Sequence, residues 1–148
     1  MEEKKKHKRY GLLGKDIGYS FSRGYFTDKF EKLKIKYSEY VNFDIPTIED
    51  FDALIENNKL QLHGMNVTIP YKEAVIPYLD KIDKTARKIG AVNTIKITKR
   101  GLLKGYNTDV FGFENSLKPL LEEQHTHALI MGTGGASKAI SFSLKRLG

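Results

Sequence analysis

The chain of 148 residues carries 25 Lys plus Arg against 18 Asp plus Glu, a net charge of +7, and has neither Cys nor Trp. With 40% hydrophobic and 29% charged residues it fits a folded globular chain of one domain, or one and a fraction, and not a disordered one. The lack of Cys excludes a disulfide framework, thiol catalysis and Cys-ligated zinc, no apolar run approaches the roughly 18–20 residues of a membrane span, and MEEKKKHKRY lacks a signal-peptide core, so a cytoplasmic location is expected.

Residues 1–9 hold five basic and two acidic residues, and residues 1–8 read as a flexible basic leader, not as a nucleic-acid-binding element. Arg9 to Leu13 reads as a short strand ending at Gly14. Phe26, Phe30 and Leu33 at i, i+4 and i+7 mark a helix over Ser22 to Ile35. YSEYVNF (37–43) is rich in Tyr, Val and Phe and reads as a second strand. Pro46-Thr47 opens another helix, with Thr47 as its cap and Ile48, Phe51, Leu54 and Ile55 as its apolar stripe. Leu60 to Val67 is a third strand, followed by short helical pieces after Pro70 and over Lys84 to Ile89, the latter ending at Gly90.

Val92 to Thr98 and Leu102 to Tyr106 flank the turn Lys99-Arg100-Gly101 and form a hairpin, which suggests one antiparallel edge to the sheet. Asp109 then caps a helix reaching about Leu121. His127 to Met131 is an apolar strand running into Gly132-Thr133-Gly134-Gly135 and a helix from about Ala136 to Leu147. Strands separated by helical patterns indicate a three-layer α/β/α domain with a mostly parallel sheet. The polar stretch 122–127 separates this domain from the strand–glycine–helix unit, after which only 13 residues follow Gly135. A dinucleotide-binding βαβ unit needs about 30 residues, so the second unit reads as the first strand, glycine loop and helix of a truncated Rossmann domain. A lone strand and helix cannot bury both faces, so the segment after Gln124 is expected to be poorly supported or to pack on another copy.

The polar residues gather where chemistry is expected. Asn66, Thr68 and Lys72 stand at the end of a strand, and ligands of open α/β sheets bind beyond the carboxyl ends of strands. Asn supplies donor and acceptor, Thr a hydroxyl, and Lys a charged donor; strand-end polarity with a solvated Lys is the bland alternative. Asn93 lies at the start of a strand, Asp109 at a helix start, and Ser20 and Ser22 before a helix. There they serve either as caps and turn residues or as ligand contacts. The glycine loop Gly132-Thr133-Gly134-Gly135-Ala136-Ser137 lets backbone N–H groups approach a pyrophosphate, or is a structural turn.

In order, S-x-S (Ser20, Ser22), N-V-T-x-P-x-K (Asn66 to Lys72), G-A-V-N-T (Gly90 to Thr94), G-x-N-T-D (Gly105 to Asp109) and G-x-G-G-A (Gly132 to Ala136) resemble the shikimate dehydrogenase family from about Tyr10 onward. The resemblance implies residues 9–121 as a shikimate-binding domain and 122–148 as the truncated start of an NADP-binding domain. It implies reversible NADP-dependent reduction of 3-dehydroshikimate to shikimate on the way to aromatic amino acids. By position, Ser20 and Ser22 would hold the substrate carboxylate, and Asn66, Thr68, Asn93 and Asp109 its ring hydroxyls. Lys72 would be the acid/base residue with Asp109 orienting it, and Gly132, Gly134, Gly135 and Ala136 would approach the cofactor.

Expected partners are NADP, shikimate or 3-dehydroshikimate, and a second copy of the chain in a homodimer; no metal, nucleic acid or membrane is expected. Tyr19 and Arg23 stand where the family usually has His and Pro, and Lys15-Asp16-Ile17 replaces a small Pro-containing turn. On this reading the 148 residues lack most of the cofactor domain and would be inactive alone. Quinate as a further substrate, or a shikimate-binding module without turnover, are the alternatives.

Overall fold

The computed structural model describes residues 7–148. The expected leader therefore lies outside the described residues except for its last two positions, and Lys8 already pairs within the first strand. Six strands form one sheet: β1 (Lys8–Gly14), β2 (Ser38–Asp44), β3 (Leu62–Val67), β4 (Lys81–Ile82), β5 (Thr94–Ile97) and β6 (Leu103–Tyr106). The order is β2-β1-β3-β5-β6-β4. β1 runs parallel to β2 and β3, β4 runs parallel to β6, and β5 is antiparallel to both β3 and β6. The expected edge hairpin is thus interior. Lys81-Ile82 pairs with Lys104-Gly105 and takes the edge, a two-residue strand too short to leave a pattern in the sequence.

The helices are α1 (Phe21–Lys32), α2 (Phe51–Asn58), α3 (Tyr71–Ala74), α4 (Lys84–Ile89), α5 (Asp109–Leu117) and α6 (Gly135–Leu147). On one sheet face, Phe51, Tyr71, Val75 and Ala86 from α2 to α4 close over Leu13, Phe43, Val67 and Ile95. On the other, Phe26 and Phe30 of α1 cover Leu12, Ile17 and Tyr40. This is the three-layer arrangement that the alternation of strands and helices implies. β1, buried along 11–14, lies between two parallel neighbours and reads as a continuous apolar run for that reason. At Gly11 it leaves no room toward β2: a Cβ there would lie 2.5 Å from the Val41 carbonyl oxygen and against the Phe43 ring.

Two expectations fail on hydrogen-bonding grounds. Thr47 makes no capping bond; its hydroxyl meets Asp50 Oδ2 at 3.3 Å, and a 3-10 turn (Ile48–Asp50) precedes α2. His127 to Met131 is not a strand. A strand needs a ladder partner, none of the six strands pairs with it, and Leu129 and Met131 are 88% and 89% exposed.

α6 nevertheless finds a partner within its own chain. Ala139 and Phe142 pack with Ile89, Ala91 and Val110, seating α6 on α4 and α5. The expectation that the segment after Gln124 is poorly supported or packs on another copy is corrected for the helix, because Ala139 and Phe142 on one face of it are covered by α4 and α5. Among the described residues no helix is long and apolar enough to cross a membrane.

Gly11→Ala is expected to lower stability by about 1–3 kcal/mol through overpacking between β1 and β2, read as a shift in the urea midpoint with an unchanged slope. An unshifted midpoint would show that this close approach carries no packing constraint.

Candidate functional site

The sense of β5 and β6 decides where the polar residues meet. Antiparallel pairing sets Asn66, near the end of β3, opposite Thr94 at the start of β5, and Thr94 opposite Tyr106 at the end of β6. Asn93, just before β5, and Asp109, just after β6, therefore come to the same end of the sheet as Thr68 and Lys72, which follow β3. Three segments far apart in sequence converge on one rim.

At that rim Lys72 Nζ donates to Asp109 Oδ2 at 2.7 Å, with 16% and 30% of the two side chains exposed. The other carboxylate oxygen, Oδ1, accepts from Asn93 Nδ2 at 2.7 Å. Asn93 is only 8% exposed, and its Oδ1 accepts the backbone N–H of Thr108 at 2.8 Å. Its Nδ2 also reaches Thr108 Oγ1 at 2.9 Å. The loop before α5 is thereby tied to the start of β5. Asn107 adds a second tie: its Nδ2 donates to the Ala91 carbonyl at 3.0 Å, and its Oδ1 accepts the Asp109 N–H at 3.0 Å. Asp109 is thus not the cap of α5. It is the first residue of the helix, Thr108 precedes it, and its carboxylate faces Lys72 and Asn93. A capping carboxylate bonds the amides of its own helix; this one is drawn to a cation instead.

From Asn93 the network continues outward. Thr94 Oγ1 donates to Asn93 Oδ1 at 3.0 Å and accepts from Asn66 Nδ2 at 3.3 Å, while Asn66 Oδ1 accepts from the Tyr40 hydroxyl at 2.9 Å. Tyr40 is 6% exposed and stacks on Phe26 of α1 with ring centroids 4.4 Å apart. Burial pushes its phenol up to about 12, with the hydrogen-bonded Ser22 side chain pulling the other way, so the hydroxyl stays a neutral donor. Ser20 Oγ accepts the Ser22 N–H at 3.2 Å and caps α1. The capping reading of Ser20 is therefore realised, and Ser22 joins the network through Tyr40.

The structure brings Lys72, Asp109 and Asn93 into direct contact and links Asn66 and Ser22 to them through Thr94 and Tyr40. Thr68 sits alongside, its N–H donating to the Leu13 carbonyl at 2.9 Å and its carbonyl accepting the Tyr71 N–H at 2.9 Å. The turn that departs from the family pattern is held from β2: Asp44 accepts the Asp16 and Ile17 N–H groups at 2.9 and 3.0 Å, and Asn42 donates to the Ile17 carbonyl at 3.1 Å. Asp16 adopts φ +52° there. Tyr19 and Arg23 are exposed. Tyr40, Asp44, Thr94, Asn107 and Thr108 had no assigned role in the sequence reading. Only Thr94, Asn107 and Thr108 lay in motifs that could have flagged them.

The glycine loop stands apart from this network. Gly132 has φ +119°, and a Cβ there would lie 3.1 Å from Ser137 Oγ. Gly134 is the extended residue before α6, and no acidic residue occupies the first turn of that helix. Gly132, Thr133 and Ser137 line a groove of about 430 Å³ together with Lys88, Lys138 and Lys145. Ala136 is exposed on the first turn. Gly135 points the other way, toward Lys72 and Ala91. Among the described residues no group of three His, Asp or Glu side chains is placed to hold a metal ion.

Residues 12–95 match the family described as shikimate dehydrogenase substrate binding domain. The shikimate dehydrogenase (NADP(+)) of Caldanaerobacter subterraneus subsp. tengcongensis is 45% identical over 142 residues, covering 95% of this chain and 50% of that protein. The crystal structure of shikimate dehydrogenase 1 from Peptoclostridium difficile superposes with a TM-score of 0.86 at 40% identity, over 95% of this chain and 53% of that one. The Thermus thermophilus shikimate 5-dehydrogenase in complex with shikimate gives 0.84 at 33% identity, over 95% and 53%. The chain spans about half the length of the curated relatives it matches.

Tyr40→Phe removes the donor to Asn66 and is expected to cost about 1 kcal/mol at neutral pH. It has a second, pH-dependent signature. A phenol raised in the folded state contributes stability that is present below its unfolded value near 10 and is lost as the pH climbs toward 12. That loss, of order 2 kcal/mol, should be seen in urea titrations from about pH 9 to 12 on the parent chain and be reduced in Tyr40→Phe. Parallel pH curves for the two proteins would contradict it.

Proposed function

Because the chain belongs to the shikimate dehydrogenase family through its substrate-binding domain, we propose that its rim network binds shikimate and 3-dehydroshikimate and serves their NADP-dependent interconversion. The observation that carries this reading is the Lys72–Asp109–Asn93 cluster at the converging strand ends. It sets one protonated amine, one carboxylate and one amide around a place where a ring bearing hydroxyl groups can exchange hydrogen bonds.

In this reading the substrate carboxylate lies against Ser20 and Ser22 at the start of α1, where the helix N-terminus favours negative charge. Asn66, Thr68, Asn93 and Asp109 take the ring hydroxyls. NADPH, when bound, supplies a hydride to the ketone carbon. The carbonyl oxygen gains negative charge as that C–H bond forms, and the Lys72 ammonium gives it a proton, leaving the hydroxyl of shikimate and a neutral amine that regains its proton from solvent. In oxidation the same amine takes the proton back. Asp109 orients Lys72 and the substrate by holding the ammonium at a fixed distance.

The residues of the second unit fit a pyrophosphate-bearing cofactor. Gly132 has the backbone that glycine permits, the first turn of α6 offers N–H groups without a competing acid, and Lys88 and Lys145 make the groove cationic. Gly132, Gly134 and Ala136 would lie against the cofactor.

Calorimetric titration of the 148-residue chain with shikimate is expected to show saturable binding that Asn93→Ala weakens at least about tenfold, the loss of a hydrogen bond in a buried network. A chain that binds nothing would contradict the substrate assignment. In the protein expressed from its whole reading frame, Lys72→Ala is expected to lower kcat about 10²–10⁴-fold while KM for shikimate changes much less. A variant keeping near-parental kcat would sink the acid/base role.

A further inference from the structure

Gly135, the first residue of α6, has no room for a side chain. A Cβ there would sit 2.9 Å from Lys72 Cβ, 3.1 Å from Ala91 Cβ and 3.4 Å from Lys72 Cδ. We propose that Gly135 is a positioning residue for Lys72: its bare backbone lets the start of α6 lie on the aliphatic stem of the lysine and confines the ammonium to Asp109. The inference rests on Lys72 being the acid/base group.

The contact is consequential because nothing on the far side can yield. Cβ atoms move only with their backbone, and the backbone of Lys72 is fixed from both sides. Its carbonyl accepts the Val92 N–H at 2.7 Å. Its neighbour Tyr71 is 4% exposed and anchors α3 by donating from its hydroxyl to the Ile45 carbonyl at 2.8 Å. Ala91, on the other flank, is fully buried and held by Asn107. A methyl group at position 135 therefore has to push the start of α6 outward, which lifts it off the Lys72 stem and leaves the ammonium free to leave Asp109.

An independent contact places α6 on α3 in the same way. Lys138, one turn along α6, forms an ion pair with Glu73, the residue after Lys72. The two contacts bracket the lysine, one against its stem and one beside its backbone. The small residues of α6, Gly135, Ala139 and Ser143, allow that close approach, and Ala139 and Ser143 are fully buried.

The test is a double-mutant cycle in the protein expressed from its whole reading frame, measured by single-turnover hydride transfer at high enzyme concentration. Gly135→Ala is expected to lower the hydride-transfer rate about 10–100-fold while KM for shikimate and the NADP dissociation constant change less than about threefold. In a Lys72→Ala background the same substitution should cost less than about twofold, because the group it displaces is gone. An equal loss in both backgrounds, or a loss confined to NADP affinity, overturns the inference and leaves the role of Lys72 standing.

If Lys72→Ala alone keeps near-parental turnover, the acid/base reading fails and this inference fails with it. Should Gly135→Ala not fold, the cycle is run with Lys138→Met. There a loss of about two- to fivefold that vanishes without Lys72 supports the positioning role, and a loss of the same size without Lys72, or none, overturns it.

Discussion

Asp109 holds two donors at once, and each of its oxygens is committed to one of them. Oδ2 takes the Lys72 ammonium and Oδ1 takes Asn93 Nδ2, both at 2.7 Å. Rotating the carboxylate to improve one bond lengthens the other, so its plane is set by partners on two different segments. Lys72, with 16% of its side chain exposed, has little water to fall back on, and an unpaired ammonium there would carry a desolvation cost without compensation. That pairing explains why so many neighbours are spent on orientation. Asn93 can serve Asp109 because Thr108 and Thr94 hold its Oδ1 and so orient its amide, and Asn107 fixes the Asp109 N–H from behind. A half-satisfied network of this kind would be worse than an apolar one, and the donors and acceptors at this rim are instead matched in series.

The sheet makes the series possible. A wholly parallel sheet would carry the start of β5 to the opposite end from the finish of β3. The antiparallel insertion of β5 between β3 and β6 brings Asn66, Thr94 and Tyr106 level, and it puts Asn93 and Asp109 one and three residues beyond the paired positions. Tyr40 then extends the network across β1 to α1 because its ring is clamped on Phe26 and its hydroxyl is kept neutral by burial. The proposed anchors for the substrate carboxylate and, Thr68 apart, for its ring hydroxyls are thus parts of one hydrogen-bonded unit, and a displacement of α1 is felt at Asn66.

Periodicity made the main strands and helices legible: β1, β2, β3, β5 and β6 and all six helices lie within a few residues of where alternation, apolar spacing and glycine stops put them. What escaped was set by contacts remote in sequence. β4 exists only because β6 offers it two residues of ladder. The run His127 to Met131 has every local mark of a strand and lacks a ladder partner among the described residues. Asp109 has the residue type and position of a cap, and a lysine 37 positions away redirects it. Tyr40 read simply as a strand aromatic, since its bond to Asn66 spans 26 residues. The site residues themselves were legible as motif positions. The resemblance supplied their roles, and spacing alone left caps and ligands indistinguishable.

α6 shows why the two halves of the chain should not be treated as independent modules. Its first turn presents backbone to the cationic groove on one side and to the Lys72 stem on the other. Side chains of ordinary size would keep helices about 8–10 Å apart and let either surface adjust without the other. Gly135 and Ala139 remove that slack, so the start of the helix bears on the Lys72 stem and the Ala91 methyl, and Ala139 packs with Val110. Close-packed contacts transmit displacement because a gap of even about half an ångström forfeits a large part of the dispersion energy. A shift of α6 on binding at the glycine loop would reach Lys72 through its stem, before any change in the charges around its ammonium. On the positioning role proposed for Gly135, coupling between the glycine loop and Lys72 is steric at its origin and is carried by the absence of a side chain at one position.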